Sequence, residues 1–308
     1  MVTKQPSRIL FVVLVVVVVA AAGAGAAALY EFTKVKPASP VLTVQQGDNV
    51  TVNYIGEFGS GAQLGKVFDT SVYSVARNNV TYPKSLEYQP RGSVSAYSPL
   101  PVHVGASAPA SGYTIGNLSF GTVVTGFWKG LLGLPGNQSH TIVVPPSLGY
   151  GPLNASCLRS VPLTYTVPVL TFVTPQQFTT LYPNVTADVG TTFTDPTYGW
   201  NDTVFAVNES SVTVQSQPAP GYLSKPGGLP FLVSSVNSTT ITLSSTLTPA
   251  DSGSVLGTTS STGGLCGKTQ FIVATVDFTS GMMTENFNPE VQGETLDFVV
   301  TVVDILPP

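Results

Sequence analysis

The stretch from Phe120 to Gly151 constrains the fold most, because an apolar helical pattern appears there while the chain from residue 41 onward is otherwise made of β-branched residues and turns. It reads FGTVVTGFWKGLLGLPGNQSHTIVVPPSLGYG. Leu131, Leu132 and Leu134 follow Gly126-Phe127 and predict a short helix over Thr125 to Leu132. A Pro-Gly turn, a strand over Thr141 to Val144 and then Tyr150-Gly151 complete it. The stretch holds no evident nucleophile or metal ligand. Its chemistry is apolar and aromatic, with the Tyr150 phenol at the edge, and suits a reaction that needs only a dry site and a bond rotation. With 30 Gly and 25 Pro punctuating short alternating runs elsewhere, the expected class is α+β, mostly β.

Three other segments carry a recognisable order. Gly47 to Gly56 reads GDNVTVNYIG, Gly65 to Ser71 reads GKVFDTS, and Gly293 to Ile305 reads GETLDFVVTVVDI. Taken with the central stretch, they resemble the FKBP-type peptidyl-prolyl isomerases. The resemblance implies an antiparallel sheet around one short helix, closed by the strand after Gly293. It also implies a proline pocket of Tyr54, Phe68, Asp69, Val123, Val124, Phe127 and Phe298, with Tyr150 at its rim. Phe127 would be the floor, where the family often has Trp, and the adjacent Trp128 is expected to face away across the helix. The Val124 N–H and the Tyr150 hydroxyl would hold substrate carbonyls, and Asp69 would lie near the rotating one. No cofactor and no metal is implied. His103 and His140 stand alone in β context and are read as structural or surface residues.

At the start of the chain, Ile9 to Tyr30 carries no charge. Twenty-two such residues would make about 33 Å of helix, long enough to span a bilayer. The reading is a cytoplasmic N-terminus (1–8), a transmembrane anchor (9–30) and a linker (31–40), with cleavage as a signal peptide the alternative. Nine Asn-x-Ser/Thr sequons, at Asn49, Asn79, Asn117, Asn137, Asn154, Asn184, Asn201, Asn208 and Asn237, point to an exported, glycosylated body on a single-pass membrane protein. Only 9% of residues are charged, and Ser, Thr, Asn and Gln supply the polar surface. An acidic exterior would favour that composition, since carboxylates lose their charge there. A net charge of −4 without a basic patch excludes a nucleic-acid-binding surface.

Cys157 and Cys266 are candidates for a disulfide, the alternative being two buried thiols. Residues 72–100, punctuated by three prolines, read as a long loop before a strand over Pro101 to Val104. The isomerase domain is expected over 41–156 and 286–308, interrupted by a β-rich region at 157–285. An insertion there resembles the SlyD-type branch of the family, whose insert-in-flap domain binds unfolded chains. Tyr182 to Gly221 looks like that insert in membrane-anchored archaeal relatives, yet the inserted region is longer. An internal echo accounts for the excess: apolar strands start at Val204, Phe231 and Phe271, predicting three hairpins.

The expected function is isomerisation of X–Pro bonds in exported polypeptides by a monomer, with unfolded or proline-containing chains as clients and chaperone activity from the insert. The alternative is an inactive FKBP-like scaffold on the cell surface whose insert binds a protein or glycan. A hydrolase reading fails because no Ser-His-Asp set or paired carboxylates stand near either histidine.

Overall fold

A computed structural model describes residues 42–105, 114–115, 118–119, 123–260 and 262–307. The expected anchor and linker lie outside this set. Among the described residues, no helix is long and apolar enough to cross a membrane.

Strand β1 (Asn49–Phe58) and the short β2 (Val67–Thr70) form the first antiparallel pair. The loop beyond β2 holds a one-turn helix, α1 (Tyr73–Ala76), and leads to β3 (Leu100–His103), which returns alongside β1. A small pair, β4 (Thr114–Ile115) and β5 (Leu118–Ser119), precedes helix α2 (Thr125–Leu131) and strand β6 (Ser139–Val144). Helix α2 buries Phe127, Trp128 and Leu131. It can lie close to β6 because Gly126 and Gly130, one turn apart, present no side chain to it. A Cβ on Gly126 would stand 2.6 Å from Val144 Cγ1, and one on Gly130 2.2 Å from Ile142 Cγ2.

The inserted region is a threefold repeat of a four-stranded sheet. Three consecutive edge strands come first: β7 (Leu158–Pro162), β8 (Thr164–Pro168) and β9 (Leu170–Val173). A helix, α3 (Pro175–Leu181), follows, although the sequence pattern led us to expect α2 as the sole helix of the body. Its signal is nonetheless present: Thr174 and Gln177 form a capping box and Pro175 occupies the first helical position.

Each of the three hairpins then brings its own leading strand. The first is β10 (Thr192–Thr194), β11 (Asn201–Val207) and β12 (Val212–Ser216); the second is β13 (Leu223–Ser224), β14 (Phe231–Val236) and β15 (Thr240–Ser245). The third is β16 (Leu256–Thr258), β17 (Gln270–Asp277) and β18 (Met282–Asn286). The edge strands are taken up in reverse order, giving sheets β10-β11-β12-β9, β13-β14-β15-β8 and β16-β17-β18-β7.

The repeats agree in detail. Each long hairpin breaks register at the same place, after Val204, Val233 and Val273. The carbonyls of those valines accept from Gly190, Gly221 and Gly253, all at positive φ, where a side chain would be strained. Leu163 and Val169 join one sheet to the next. Leu163 donates its N–H to Gly281 and accepts from Ser245; Val169 donates to Thr239 and accepts from Ser216. The second and third sheets share one apolar core, including Phe231, Ile241, Phe271 and Phe287, whereas the first has a core of its own around Phe178, Val204, Val212 and Val214.

The chain re-enters the first sheet as β19 (Leu296–Leu306), between β1 and β6, completing the order β2-β1-β19-β6 with β3 also on β1. Leu296, Phe298, Val300 and Val302 alternate inward and are almost fully buried with Val50, Val52 and Tyr54 of β1. Cys157 and Cys266 are disulfide-bonded, with Cα atoms 5.7 Å apart and a sequence separation of 109. Described residues are thus mostly β, in antiparallel sheets with short helices.

Candidate active site

Four aromatic side chains from four distant segments meet between the first sheet and α2. Tyr54 comes from β1, Phe68 from β2, Phe127 from α2 and Phe298 from β19. Phe298 lies at the centre, with its ring edge-on to Phe127 (centroids 4.9 Å apart) and to Phe68 (5.6 Å). Tyr54 is edge-on to Phe127 at 6.1 Å. Such perpendicular packing suits aromatic quadrupoles and leaves ring faces open to a ligand. Tyr54, Phe127 and Phe298 are buried, while Phe68 is only half-buried and forms the open side. Val123 and Val124, also half-buried, pack against the same core, with Val124 as the N-cap of α2. Trp128, the next residue on α2, is also buried in this core.

A polar network borders the aromatic floor. The Tyr54 hydroxyl donates to Asp69 Oδ2, and Arg91 Nη2 donates to the Tyr54 oxygen at 2.9 Å and to Asp69 Oδ1 at 3.3 Å. Burial, reinforced by the adjacent Asp69 carboxylate, drives the Tyr54 pKa above the ordinary phenol value, so it remains a neutral donor. Arg91 is itself held by the Ala96 carbonyl (2.9 Å) and over the Tyr97 ring at 5.5 Å. Tyr150, in the loop after β6, is about half exposed. Its phenol pKa is raised by partial desolvation and then by the charge of Asp69, which places both groups in one electrostatic environment.

The structure brings together Tyr54, Phe68, Asp69, Phe127 and Phe298, with Val123 and Val124 packed against the same core, while Tyr150 is linked to them through the charge of Asp69. Arg91 was not foreseen. It sits in an aperiodic loop where a lone cation carries no positional signal, and Tyr88 and Tyr97 beside it were equally silent. Gly56 was legible only as part of a strand motif, but its role is steric, because the Phe68 ring covers it.

The arrangement offers ring faces and neutral phenols, with a carboxylate and guanidinium locked together. It can hold a compact apolar ring and steer a neighbouring carbonyl. No family model matches the chain. Over 119 residues it is 29% identical to a short-type peptidyl-prolyl cis-trans isomerase of Methanocaldococcus jannaschii, a match covering 39% of this chain. The match spans 58% of the length of that relative, a distant and partial similarity to an isomerase of this kind.

Proposed function

We propose that this chain is an FKBP-type peptidyl-prolyl cis-trans isomerase acting on exported polypeptides, with a SlyD-like insert, enlarged to three sheets, that captures clients. The observation that carries the reading is the convergence of Tyr54, Phe68, Phe127 and Phe298 into one aromatic floor bordered by Asp69 and Arg91.

The physics of the reaction matches that floor. An amide resists rotation by about 18–20 kcal/mol because its C–N bond has partial double-bond character. For X–Pro the two planar isomers differ by only about 0.5–1 kcal/mol. The twisted transition state has lost resonance and is less polar than either planar form, so a dry aromatic site stabilises it preferentially. The proline ring seats between Phe68, Phe127 and Phe298. The preceding carbonyl turns past the Asp69 side of the site, steered by the Tyr150 hydroxyl and the Val124 N–H. No proton changes hands, consistent with a Tyr54 phenol held neutral.

Client capture is supported by the first sheet of the insert. Phe172 on β9 lies opposite Thr213, which lies opposite Ala206 beside the bulged Phe205. Phe172 and Phe205 are 69% and 54% exposed, with Leu181 at the end of α3 also exposed. Apolar surface of that kind marks a binding face for extended chains. The anchor at 9–30 would hold the body outside the membrane.

The test is the refolding rate of a protein limited by a proline step, with the full-length chain in catalytic amounts. Concentration-dependent acceleration that Phe68→Ala abolishes supports the isomerase and its pocket together. No acceleration by folded protein at neutral or acid pH would leave the insert as the working part of a scaffold.

A further inference from the structure

We infer that Lys268, in the inserted region, is a positioning residue for the aromatic site, acting through Glu87 on the loop that carries Arg91. This rests on the isomerase reading above. Arg91 is the only cation touching Tyr54 and Asp69 among the described residues, and it does not sit on the sheet. Its placement depends on what fixes the loop from residue 83 to residue 91.

The near end of that loop is tied to β2, where Val67 donates to Pro83 at 2.8 Å and accepts from Ser85 at 2.9 Å. Its middle is gripped by residues of the inserted region and its return crossing. Glu290, on the crossing back toward β19, accepts from Ser85 Oγ (2.5 Å), from the Glu87 N–H (2.9 Å) and from Gln63 Nε2 (3.3 Å). Glu87 in turn accepts from the Glu290 N–H at 3.4 Å and from Lys268 Nζ at 2.5 Å. Two carboxylates thus converge on one half-buried loop segment, and Lys268 pairs with one of them, Glu87. Lys268 also donates to the Asn288 carbonyl at 3.3 Å. Asn288 is fully buried and bonds both ways with Asn154 on the outgoing crossing.

Lys268 is aimed by a tight turn. Leu265 and Lys268 exchange both backbone hydrogen bonds across Cys266 (φ 52°) and Gly267 (φ 74°), the two-residue geometry that reverses a hairpin. The disulfide to Cys157 fixes that turn to the base of β7. A continuous set of contacts runs from Cys157–Cys266 through Lys268 and Glu87, then four residues along the chain to Arg91, Tyr54 and Asp69. The inserted region therefore sets the geometry of the polar border of the pocket without touching substrate.

The experiment uses the full-length protein as Lys268→Met, Lys268→Arg, Glu87→Gln and the exchanged pair Lys268→Glu with Glu87→Lys. Two readouts are taken: kcat/KM for proline-limited refolding, and hydrogen exchange of the non-proline amides between residues 83 and 91. Lys268→Met and Glu87→Gln should each lower kcat/KM about fivefold to tenfold, the scale expected of small misplacements. Both should speed exchange at 83–91 while the β1 and β19 amides stay protected. Lys268→Arg should recover most of the loss, and the exchanged pair should outperform both Lys268→Met and Glu87→Gln. Unchanged exchange in Lys268→Met overturns the inference, because the loop is then held without it. Faster exchange with kcat/KM within twofold of wild type also overturns it, leaving the ion pair purely structural. A wild-type protein without isomerase activity refutes the functional reading instead, and the exchange data separate the two failures.

Discussion

The Phe68 ring lies flat against Gly56, so closely that a Cβ on Gly56 would stand 2.6 Å from Phe68 Cζ. Glycine normally weakens a strand, and here its missing side chain makes the space in which the pocket wall rests. Gly56→Ala should push Phe68 outward, lowering stability by about 1–3 kcal/mol and isomerase activity with it. Denaturant titration and refolding assays would show this; an alanine variant with unaltered activity would mean the ring is free to reseat.

Phe68 and Phe127 should separate activity from stability. Phe127 is buried, so Phe127→Ala removes a core ring and should cost about 3–5 kcal/mol. Phe68 is half-exposed, so Phe68→Ala should cost clearly less, yet slow catalysis at least as much. Equal stability losses would place Phe68 in the core and not at the open side of the pocket.

The inserted region should grow more stable in mild acid. Asp202 is buried, and that burial, with the nearby Asp195, raises its pKa to about 6 from 3.8. Because the folded form holds the proton more tightly than the unfolded form, its contribution is fully present below about pH 4 and is lost as pH rises through 6. The size is on the order of 2–3 kcal/mol. Glu285 and Glu57 are raised by burial in the same sense. Denaturation midpoints measured from pH 4 to 8 should fall with pH, and Asp202→Asn should flatten the profile. A midpoint that rises with pH would refute both this assignment and the argument for an acidic exterior.

Reduction should loosen the fold markedly. Cys157 and Cys266 close a loop of more than a hundred residues, which in the chain-entropy view is worth about 4–5 kcal/mol. Thermal unfolding with and without reductant, and of Cys266→Ser, should show matching losses.

Glycan occupancy in an exporting host should follow exposure. Asn79, Asn137, Asn154, Asn184, Asn201, Asn208 and Asn237 are exposed, whereas Asn49 is buried in β1 with its Oδ1 against His103 Nδ1. Peptide mapping should find Asn49 bare; modification there would require glycosylation before folding.

Much of the first sheet was legible because its side chains obey simple periods. Val50, Val52 and Tyr54 alternate inward as their spacing implies, and Phe298 follows the same rule on β19. The three hairpins were legible from β-branched runs, but not the edge strands that serve them. Residues 158–173 carry no Gly, Asn or Asp to mark where one edge strand ends and the next begins, since Leu163 and Val169 alone separate them. Helix α3 is as long as α2 but buries only Phe178, so no apolar period marks it despite its capping box. Arg91 escaped because its partners come from two strands and a loop, and a relationship of that kind has no signature along the chain. Part of the sequon count also has a local cause. Asn208 and Asn237 each accept backbone N–H groups inside a hairpin turn, and Asp277 does the same work in the third. Short polar side chains close such turns, and hydroxyl residues follow them naturally.

Leu163 and Val169 stand six residues apart, and each hands the backbone from one sheet to the next through the same pair of hydrogen bonds. The stem and the hairpins are therefore nested, like parentheses. Adding or removing a matched unit, six residues of stem with the hairpin it serves, leaves both ends of the inserted region where they were. A chain built this way can change its reach over evolutionary time in whole increments, while the sheet that holds the aromatic pocket never registers the difference.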